Sequence, residues 1–484
     1  MHKIVLLLAI TSVSACNFAP AYRQPVAPIS AAYPVTPEPA NSQGLLATDL
    51  GWRDYFLDPR LRSLIGMALE RNRDLAQAVA RIAQARAQYR IQDSQRLPAL
   101  EANGGATRSV QPVNALGFPG AGTGGGDAPS SLDFTQYSAN VGVASFELDL
   151  WGRLRNLSNA ERQRWLASIE GERAARLTLI GQVAAAYFDI LAGEDRIALA
   201  ERTLSGRLEG VRSARKRLDA GVTSTVDFDQ ATLLLTQAQT ELADIQRTTA
   251  QARNLLDVLI GGLSSEVLPM GKPLSHPNQV RDIVPGLPSS LLAARPDILE
   301  AEHNLQAANA NIGAARAAFF PTISLTGAYG FLSPKLGDLF KGSSEAFNYG
   351  GSLNLPIFDW GRRTAQVRLN KAQADELIAA YQRTVQGAFQ NVADALIARQ
   401  RYAEQIAAQT RTVEAQRRLA RAARLRYDNG IAIYLELLDA ERNLCAAEQS
   451  LLQLRATDLQ NSVTLYTALG GGLQDGGPRS APES

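Results

Sequence analysis

The passage LDLWGRLRNL (148–157) returns as IFDWGRRTAQ (357–366), with Trp151-Gly152-Arg153 over Trp360-Gly361-Arg362. The repetition extends well beyond this phrase. RDLAQAVARIAQARAQYRIQDSQRLPAL (73–100) aligns without a gap to PDILEAEHNLQAANANIGAARAAFFPTI (296–323), which puts Asp74 on Asp297 and Pro98 on Pro321, 223 positions apart. After residue 100 the offset falls to 209, so the first copy carries 14 extra residues. The Gly-rich GFPGAGTGGGDAPSS (117–131) has the composition of the loop that holds them. From Trp151 onward 209 holds: Gly221 falls on Gly430, Ala231 on Ala440, and Gly261-Gly262 on Gly470-Gly471. The duplicated unit, about 190 residues, is far longer than a solenoid repeat. The chain therefore builds one structural plan twice.

Each copy follows the same order. A helix ended by Pro comes first (74–97; 297–320), then two strand-like segments. In the second copy Ile323, Leu325 and Tyr329 alternate with Thr322, Ser324 and Thr326. Phe347, Tyr349, Leu353, Leu355 and Ile357 likewise alternate with Asn348, Ser352 and Asn354, a period of two with one apolar and one polar face. Tyr137, Ala139, Val141 and Val143 do the same in the first copy, whereas a strand near 100–112 rests on the repeat alone. Pro is then absent from Ser130 to Leu268 and from Ile357 to Gly477, in stretches rich in Ala, Arg, Gln and Leu, a composition of long helices. From Trp-Gly-Arg to Leu218, and again to Tyr427, nothing breaks the helical pattern; at 1.5 Å per residue each helix is about 100 Å long. The turns DAGVTS (219–224) and DNGIAI (428–433) follow, then a last helix. Leu437, Leu444 and Leu451 recur every seven residues beside Leu438, Cys445, Leu452 and Leu459. Phe228, Leu235, Leu242 and Leu256 occupy the matching positions of the first copy. Leu177, Ile180, Ala184, Tyr187 and Leu191 step by three and four in the long helix. Such spacing builds coiled-coil seams.

Amphipathic strands of about ten residues suit a transmembrane barrel wall. Four strands cannot close, and open edges cannot sit in lipid. The sheet must either rest on a soluble core or pool its strands with other copies. Eight strands from a dimer would fill with side chains; twelve from a trimer leave a lumen.

The N-terminus carries a targeting pattern: Lys3, then the short apolar run Ile4 to Ile10, too short to span a bilayer. Val13-Ser14-Ala15-Cys16 resembles the bacterial lipobox, which implies cleavage before Cys16 and lipid on its thiol and new amine; the other reading is an ordinary signal peptide with a chance Cys. Asn17, where an Asp would imply inner-membrane retention, implies outer-membrane sorting. Cleavage leaves 48 basic against 47 acidic residues, no footprint for nucleic acid. With Cys16 used for lipid, only Cys445 remains and no intrachain disulfide is possible. His276 and His303 are too few for evident zinc or triad chemistry. Cys445 sits on the heptad seam and His303 mid-helix, both read as structural, and no metal site or cofactor is expected beyond the Cys16 lipid.

Four passages carry a family resemblance: the lipobox followed by NFAPAYRQP, then GWRDYFLDPRLRSLIGMALERNRDL (51–75), GLPSSLLAARPDILEAEHNLQAANANIGAARAAFFPTISLTG (286–327) and RYDNGIAIYLELLDAERNL (426–444). With the two Trp-Gly-Arg passages they cover nearly all of the mature chain, which resembles the TolC-type outer-membrane factors, in particular the NodT-like efflux lipoproteins. The resemblance implies a mainly α fold with a transmembrane β part: a homotrimer sharing a twelve-stranded β-barrel, four strands per chain, on a long α-helical barrel. It implies a passive exit duct in the outer membrane with a large periplasmic part. An inner-membrane resistance–nodulation–division pump and a periplasmic adaptor (membrane fusion protein) are the implied partners, with outer-membrane lipid and no nucleic acid. The expected organisation is a signal peptide (1–15), a lipid-anchored tether (16–51), a first repeat (52–268), an inter-repeat linker (269–288), a second repeat (289–471) and a tail (472–484). Tether, linker and C-terminal residues would form an equatorial domain.

A duct breaks no bond, so its sites are a gate, an anchor and a docking surface. Glu436 and Asp439 lie three apart on the first turns of the last helix. Threefold symmetry turns each into a ring of carboxylates, which favours cations and needs partners or water. The family has acidic gate residues at these two positions, and the resemblance carries that role to them. The first-copy equivalents are Asp227 and Gln230, and Asp227 joins the candidate gate. A gate-bracing Tyr, three residues before the Gly in the family, corresponds to Tyr427 before Gly430. Some members have an Arg two residues after that Gly; here it is Ala432, which puts that inter-helix salt bridge in doubt, and Arg442 is placed to pair with Asp439 instead. The alternative for these acids is a solvated helix face. Gly221 and Gly430 are helix-stop residues that allow a positive φ. The resemblance makes Gly221, Val222, Thr223 and Ser224, with Gly430, Ile431, Ala432 and Ile433, the tips on which an adaptor docks. Trp151-Gly152-Arg153 and Trp360-Gly361-Arg362 mark the passages from wall to tube, each Trp either a packing anchor or an interfacial aromatic. Other readings are an exit channel for protein secretion, a lipid-anchored coiled-coil adaptor, which predicts a single hairpin and no amphipathic strands, and an enzyme, which predicts a clustered polar pocket.

Overall fold

A computed structural model describes residues 17–34, 45–112, 131–263, 268–276 and 278–473. The signal peptide, Cys16, most of the Gly-rich insertion and most of the tail lie outside the described residues. The elements follow the repeat. The first copy contains α1 (Trp52–Tyr55), α2 (Pro59–Arg71), α3 (Arg73–Ser94), β1 (Glu101–Pro112), β2 (Ser131–Leu148), α4 (Arg153–Asp219) and α5 (Thr225–Ile260). The second contains α6 (Leu291–Ala294), α7 (Pro296–Ala317), β3 (Thr322–Ser333), β4 (Glu345–Asn354), α8 (Arg362–Asp428) and α9 (Tyr434–Ala468). Helices α4 and α8 are each 67 residues long.

Helices α3 and α7 stop at Ser94 and Ala317, three residues short of the expected ends. The chain closes with turns, Leu97 N–H to the Ser94 carbonyl (3.0 Å) and Phe320 N–H to that of Ala317 (3.1 Å). A residue before Pro is pushed out of the helical region, so the helix unwinds ahead of Pro98 and Pro321. Strand β4 ends at Asn354 instead of Ile357, because its last partner is Thr322, directly after Pro321, and Pro356 has no N–H to donate.

Two compact units are drawn from both repeats, so spatial division does not follow sequence duplication. One gathers the described parts of Met1–Gln24, Ala83–Leu166 and His303–Ile378. It holds an antiparallel sheet in the order β1-β2-β3-β4. Glu101 pairs with Gly142, and its repeat equivalent Ser324 pairs with Ser352. Gly142 and Ser352 lie 210 apart, one more than the offset of the two Trp-Gly-Arg passages. The extra residue is a bulge in β2 between Val143 and Phe146. A bulge adds one residue to one strand and leaves no compositional mark, so gapless alignment passes over it. The helices of this unit meet through small side chains, Ala160 with Ala307 and Ala310, and Ala308 with Ile312 and Ala374. The post-Cys16 tether, without helix, lies along them: Phe18 stacks on Phe320 (4.5 Å), Asn309 Nδ2 donates to the Pro20 carbonyl (2.7 Å) and Asn156 Nδ2 to Asn17 Oδ1 (2.9 Å).

The other unit gathers the described parts of Pro25–Ile82, Ala167–Glu302 and Ala379–Ser484. Its core joins Ile180, Val183 and Phe188 of α4, Tyr381 and Val392 of α8, and Tyr466 of α9, all buried, to Tyr55, Phe56 and Ile65. Each such side chain contributes about 1.5–3 kcal/mol. The residues flanking α1 pair with the inter-repeat linker, Leu46 with Val284 and Phe56 with Val280. The buried Asp58 caps α2: Oδ1 accepts from the Arg60 N–H (2.8 Å), Oδ2 from Tyr187 Oη (2.8 Å) and the Lys272 N–H (2.8 Å). The heptad seams differ in detail from the expectation. In α9 Leu437, Leu438 and Leu451 are buried while Leu444 is half-buried; in α5 the buried line is Ala231, Ala238 and Ile245, with Leu235 and Leu242 half-buried. Closer packing at Ala231 and Ala238 favours a small side chain at the centre of the α5 seam, and Leu235 and Leu242 move to its flanks.

Candidate gate and strand-to-helix junction

At the junction, Trp151 Nε1 donates to the Pro321 carbonyl (2.8 Å), and its ring lies 4.9 Å from that of Phe320. Gly152 turns the chain at φ +73°, and Asp149 accepts from the N–H groups of Leu154 and Arg155 at the start of α4. Arg153 pairs with Glu147 at 2.6 Å. Trp151 is thus a packing anchor. Trp360 is not one within its own chain: it is 90% exposed, with φ +56°. Its counterpart seat, Leu97-Pro98, precedes β1, at the opposite edge of the sheet from β4. Gly361 has φ +82°, and Arg362, the first residue of α8, is exposed.

The tips repeat one cap. The Val222 N–H reaches the Arg217 carbonyl and the Gly221 N–H that of Leu218, both at 2.9 Å. Ile431 to Arg426 (2.8 Å) and Gly430 to Tyr427 (2.9 Å) do the same in the second copy. Gly221 and Gly430 have φ +70° and +72°, as a helix stop of this type requires. Val222, Ile431 and Ile433 are exposed, Thr223 and Ala432 half-buried, and Ser224 exposed. Thr223 donates through its hydroxyl to Asp227.

The first turns of α9 face α4 and α8 through paired charges. Glu436 pairs with Arg426 across the turn (2.6 Å), and Asp439 with Arg442 (3.1 Å). The candidate gate acids of the second copy, Glu436 and Asp439, are therefore balanced within their own chain. Arg217 donates to the Tyr427 hydroxyl with its guanidinium 4.9 Å above that ring, and Tyr427 lies 5.3 Å from Tyr434. A side chain on Gly210 would collide with Tyr434, its Cβ 2.4 Å from the hydroxyl, so bare backbone there lets Tyr434 approach α4. Burial pushes the Tyr434 hydroxyl's pKa upward, with Arg207 opposing. Glu441 joins three helices: Oε2 meets Arg207 of α4 at 3.1 Å and Oε1 meets Arg424 of α8 at 2.7 Å. Arg207 is only 7% exposed. The Glu441 hydrogen bond holds the Arg424 guanidinium above its usual range. Sequence reasoning missed Glu441, Arg207, Arg424 and Tyr434. Arg217 and Arg426, equivalent in the repeat and one turn before each tip Gly, were the visible signal; their partners depend on helix rotation. Cys445 Sγ lies 3.5 Å from Thr203 Oγ1, and burial raises its thiol pKa, which leaves it unreactive. Among the described residues no group of His, Cys, Asp and Glu is arranged to hold a metal ion.

A family profile described as "Outer membrane efflux protein" matches residues 64–262 and 287–471. The chain is 41% identical over 478 residues to the toluene efflux pump outer membrane protein TtgC of Pseudomonas putida, covering 98% of this chain and 96% of that protein. It is 36% identical over 474 residues to the cation efflux system protein CusC of Escherichia coli O157:H7, covering 98% and 99%. The open state of the Neisseria gonorrhoeae MtrE outer membrane channel superposes with a TM-score of 0.83 at 39% identity, covering 95% of this chain and 99% of that one.

Proposed function

The chain belongs to the outer membrane efflux protein family, and from that premise we propose that three copies form the outer-membrane exit duct of a tripartite efflux pump, which small molecules cross passively. The observation that carries this reading is the four-stranded sheet whose two edges, β1 and β4, have no strand partner among the described residues of one chain. Such a sheet is stable in lipid only when closed, and twelve strands leave a water-filled lumen where eight do not. The long helices continue the conduit into the periplasm. The charged network at the start of α9 is its gate, opened by an adaptor and an inner-membrane pump that supplies the energy. The tips around Gly221 and Gly430, with their exposed Val222, Ile431 and Ile433, are the adaptor's docking surface. Cys16 carries the lipid; what supports this is that Asn17 and Phe18, immediately after it, lie beside Asn156 and Phe320 at the strand-to-helix junction. Single-channel recording of the purified protein in planar bilayers, with Glu436 and Asp439 each changed to Ala, tests the reading. It expects a trimer by mass, discrete cation-favouring currents, and wider or less selective currents in the variants. A monodisperse single subunit that forms no channel would overturn it.

A further inference from the structure

Strands β1 and β4 are the edges of the sheet, without a further strand partner among the described residues, and β4 exposes Phe347, Tyr349 and Leu353. Within one chain β2 and β3 form the joint between the first and second repeats. Where copies adjoin, β4 of one meets β1 of the next, again a second strand of one repeat against a first strand of another. Resting on the trimer above, we propose that the seam between subunits reproduces the β2–β3 joint without its bulge. Phe347 then stands opposite the partner's Val110, Gly351 opposite the partner's Ala106 and Ile357 opposite the partner's Leu100, and Trp360 seats on the partner's Leu97 and the partner's Pro98.

The register follows from equivalences already described. First strands are related by 223 positions, and second strands by 210 before the β2 bulge and 209 beyond it. Tyr137 opposite Ser333 therefore becomes Phe347 opposite the partner's Val110, and Val141 opposite Tyr329 becomes Gly351 opposite the partner's Ala106. Beyond the bulge, Leu148 opposite Ile323 becomes Ile357 opposite the partner's Leu100. Pairs from the two sides of the bulge thus merge into one continuous register, as β4, which pairs with β3 without irregularity, requires.

Side-chain alternation supports the same register independently. It sets Phe347 beside the partner's Val110 and Leu355 beside the partner's Ala102 on one face. On the other it sets Asn348 beside the partner's Ser109, Gly350 beside the partner's Thr107 and Asn354 beside the partner's Asn103. A one-residue slip, the result of using 209 throughout, places Phe347 against the partner's Ser109 and turns every apolar residue to the polar face. The Trp360 seat has its template in Trp151, which stacks on Phe320 and donates to the Pro321 carbonyl. Their repeat equivalents, Leu97 and Pro98, precede β1, and Leu97 is 71% exposed in one chain.

Disulfide trapping tests the seam in full-length protein carrying Cys445→Ser. Neighbouring antiparallel pairs alternate between wide and close spacing, so two pairs are made for each register. Asn348→Cys with Ser109→Cys, and Tyr349→Cys with Arg108→Cys, test the proposed one; Asn348→Cys with Arg108→Cys, and Tyr349→Cys with Thr107→Cys, test the slipped one. After mild oxidation at least one proposed pair should give covalent dimers and trimers on a non-reducing gel, at ten times or more the yield of either slipped pair. Trp360→benzoylphenylalanine, irradiated, should label residues 97–100 of another copy. A trimer by mass that cross-links only in the slipped register, or in neither, overturns the register and leaves the duct standing; a label elsewhere overturns the seat. A monomer by mass overturns both the seam and the trimer beneath it.

Discussion

Glu441→Gln keeps the shape of the residue that joins α4, α8 and α9 and removes its charge. Arg424 is about half exposed, so losing that ion pair costs roughly 0.5 kcal/mol. Arg207 is different: at 7% exposure its guanidinium cannot turn to water, and a buried charge stripped of its partner costs about 3–5 kcal/mol. Glu441 itself is a quarter exposed, which favours the lower end, about 3 kcal/mol per chain. That is a shift of about 150-fold in the ratio between the described arrangement of the α9 start and one in which it has moved away. Single-channel recording should then show open probability or conductance raised several-fold in Glu441→Gln. Glu448→Gln is the control, because Glu448 pairs with the half-exposed Arg417 at 2.6 Å in a contact worth only a few tenths of a kcal/mol. High salt should imitate the control and leave the Glu441 pair intact, since buried pairs are poorly screened. Glu441→Gln traces indistinguishable from wild type, with an unchanged melting temperature, would refute the assignment of Glu441 as the tie that holds these helices.

Trp151→Phe removes the donor to the Pro321 carbonyl and should cost about 1 kcal/mol, read by denaturant midpoint; Trp360→Phe, exposed in one chain, should not change the stability of a dissociated subunit. Glu300 is half-buried near Asp297 and Glu170, and burial, then those two charges, raises its pKa above the ordinary 4.5. A raised carboxyl pKa means that the folded state holds the charge at a disadvantage above that range, a disadvantage that vanishes once both states are protonated. Glu300→Gln should therefore melt higher than wild type at pH 7, with the gap closing as pH falls through the raised folded-state value and gone below 4.5; a gap that widens on acidification would contradict the cause given.

Much of the fold is legible in the chain itself because it is written in local terms. Long Pro-free runs ending at Gly make the 67-residue helices and their tips, and alternation marks β2, β3 and β4. The repeat supplied β1, whose own residues are weakly patterned. Of the candidate gate, Glu436, Asp439 and Tyr427 were proposed by motif, whereas Glu441 looked like any surface acid. Its role depends on which faces α4, α8 and α9 turn to one another, and its buried partner Arg207 stands 234 positions away.

The sequence by itself determined the duplicated plan, the lengths of the helices and the places where the chain reverses, since each depends on the conformational preference of a few neighbouring residues. Tertiary structure alone decided the bulge in β2, the choice of Ala for the centre of the α5 seam, the arginine that answers each acid, and the divergence of Trp151 from Trp360. These depend on what stands across a gap in space. Two identical words take different meanings where one finds its partner within the chain and the other lies at an open edge.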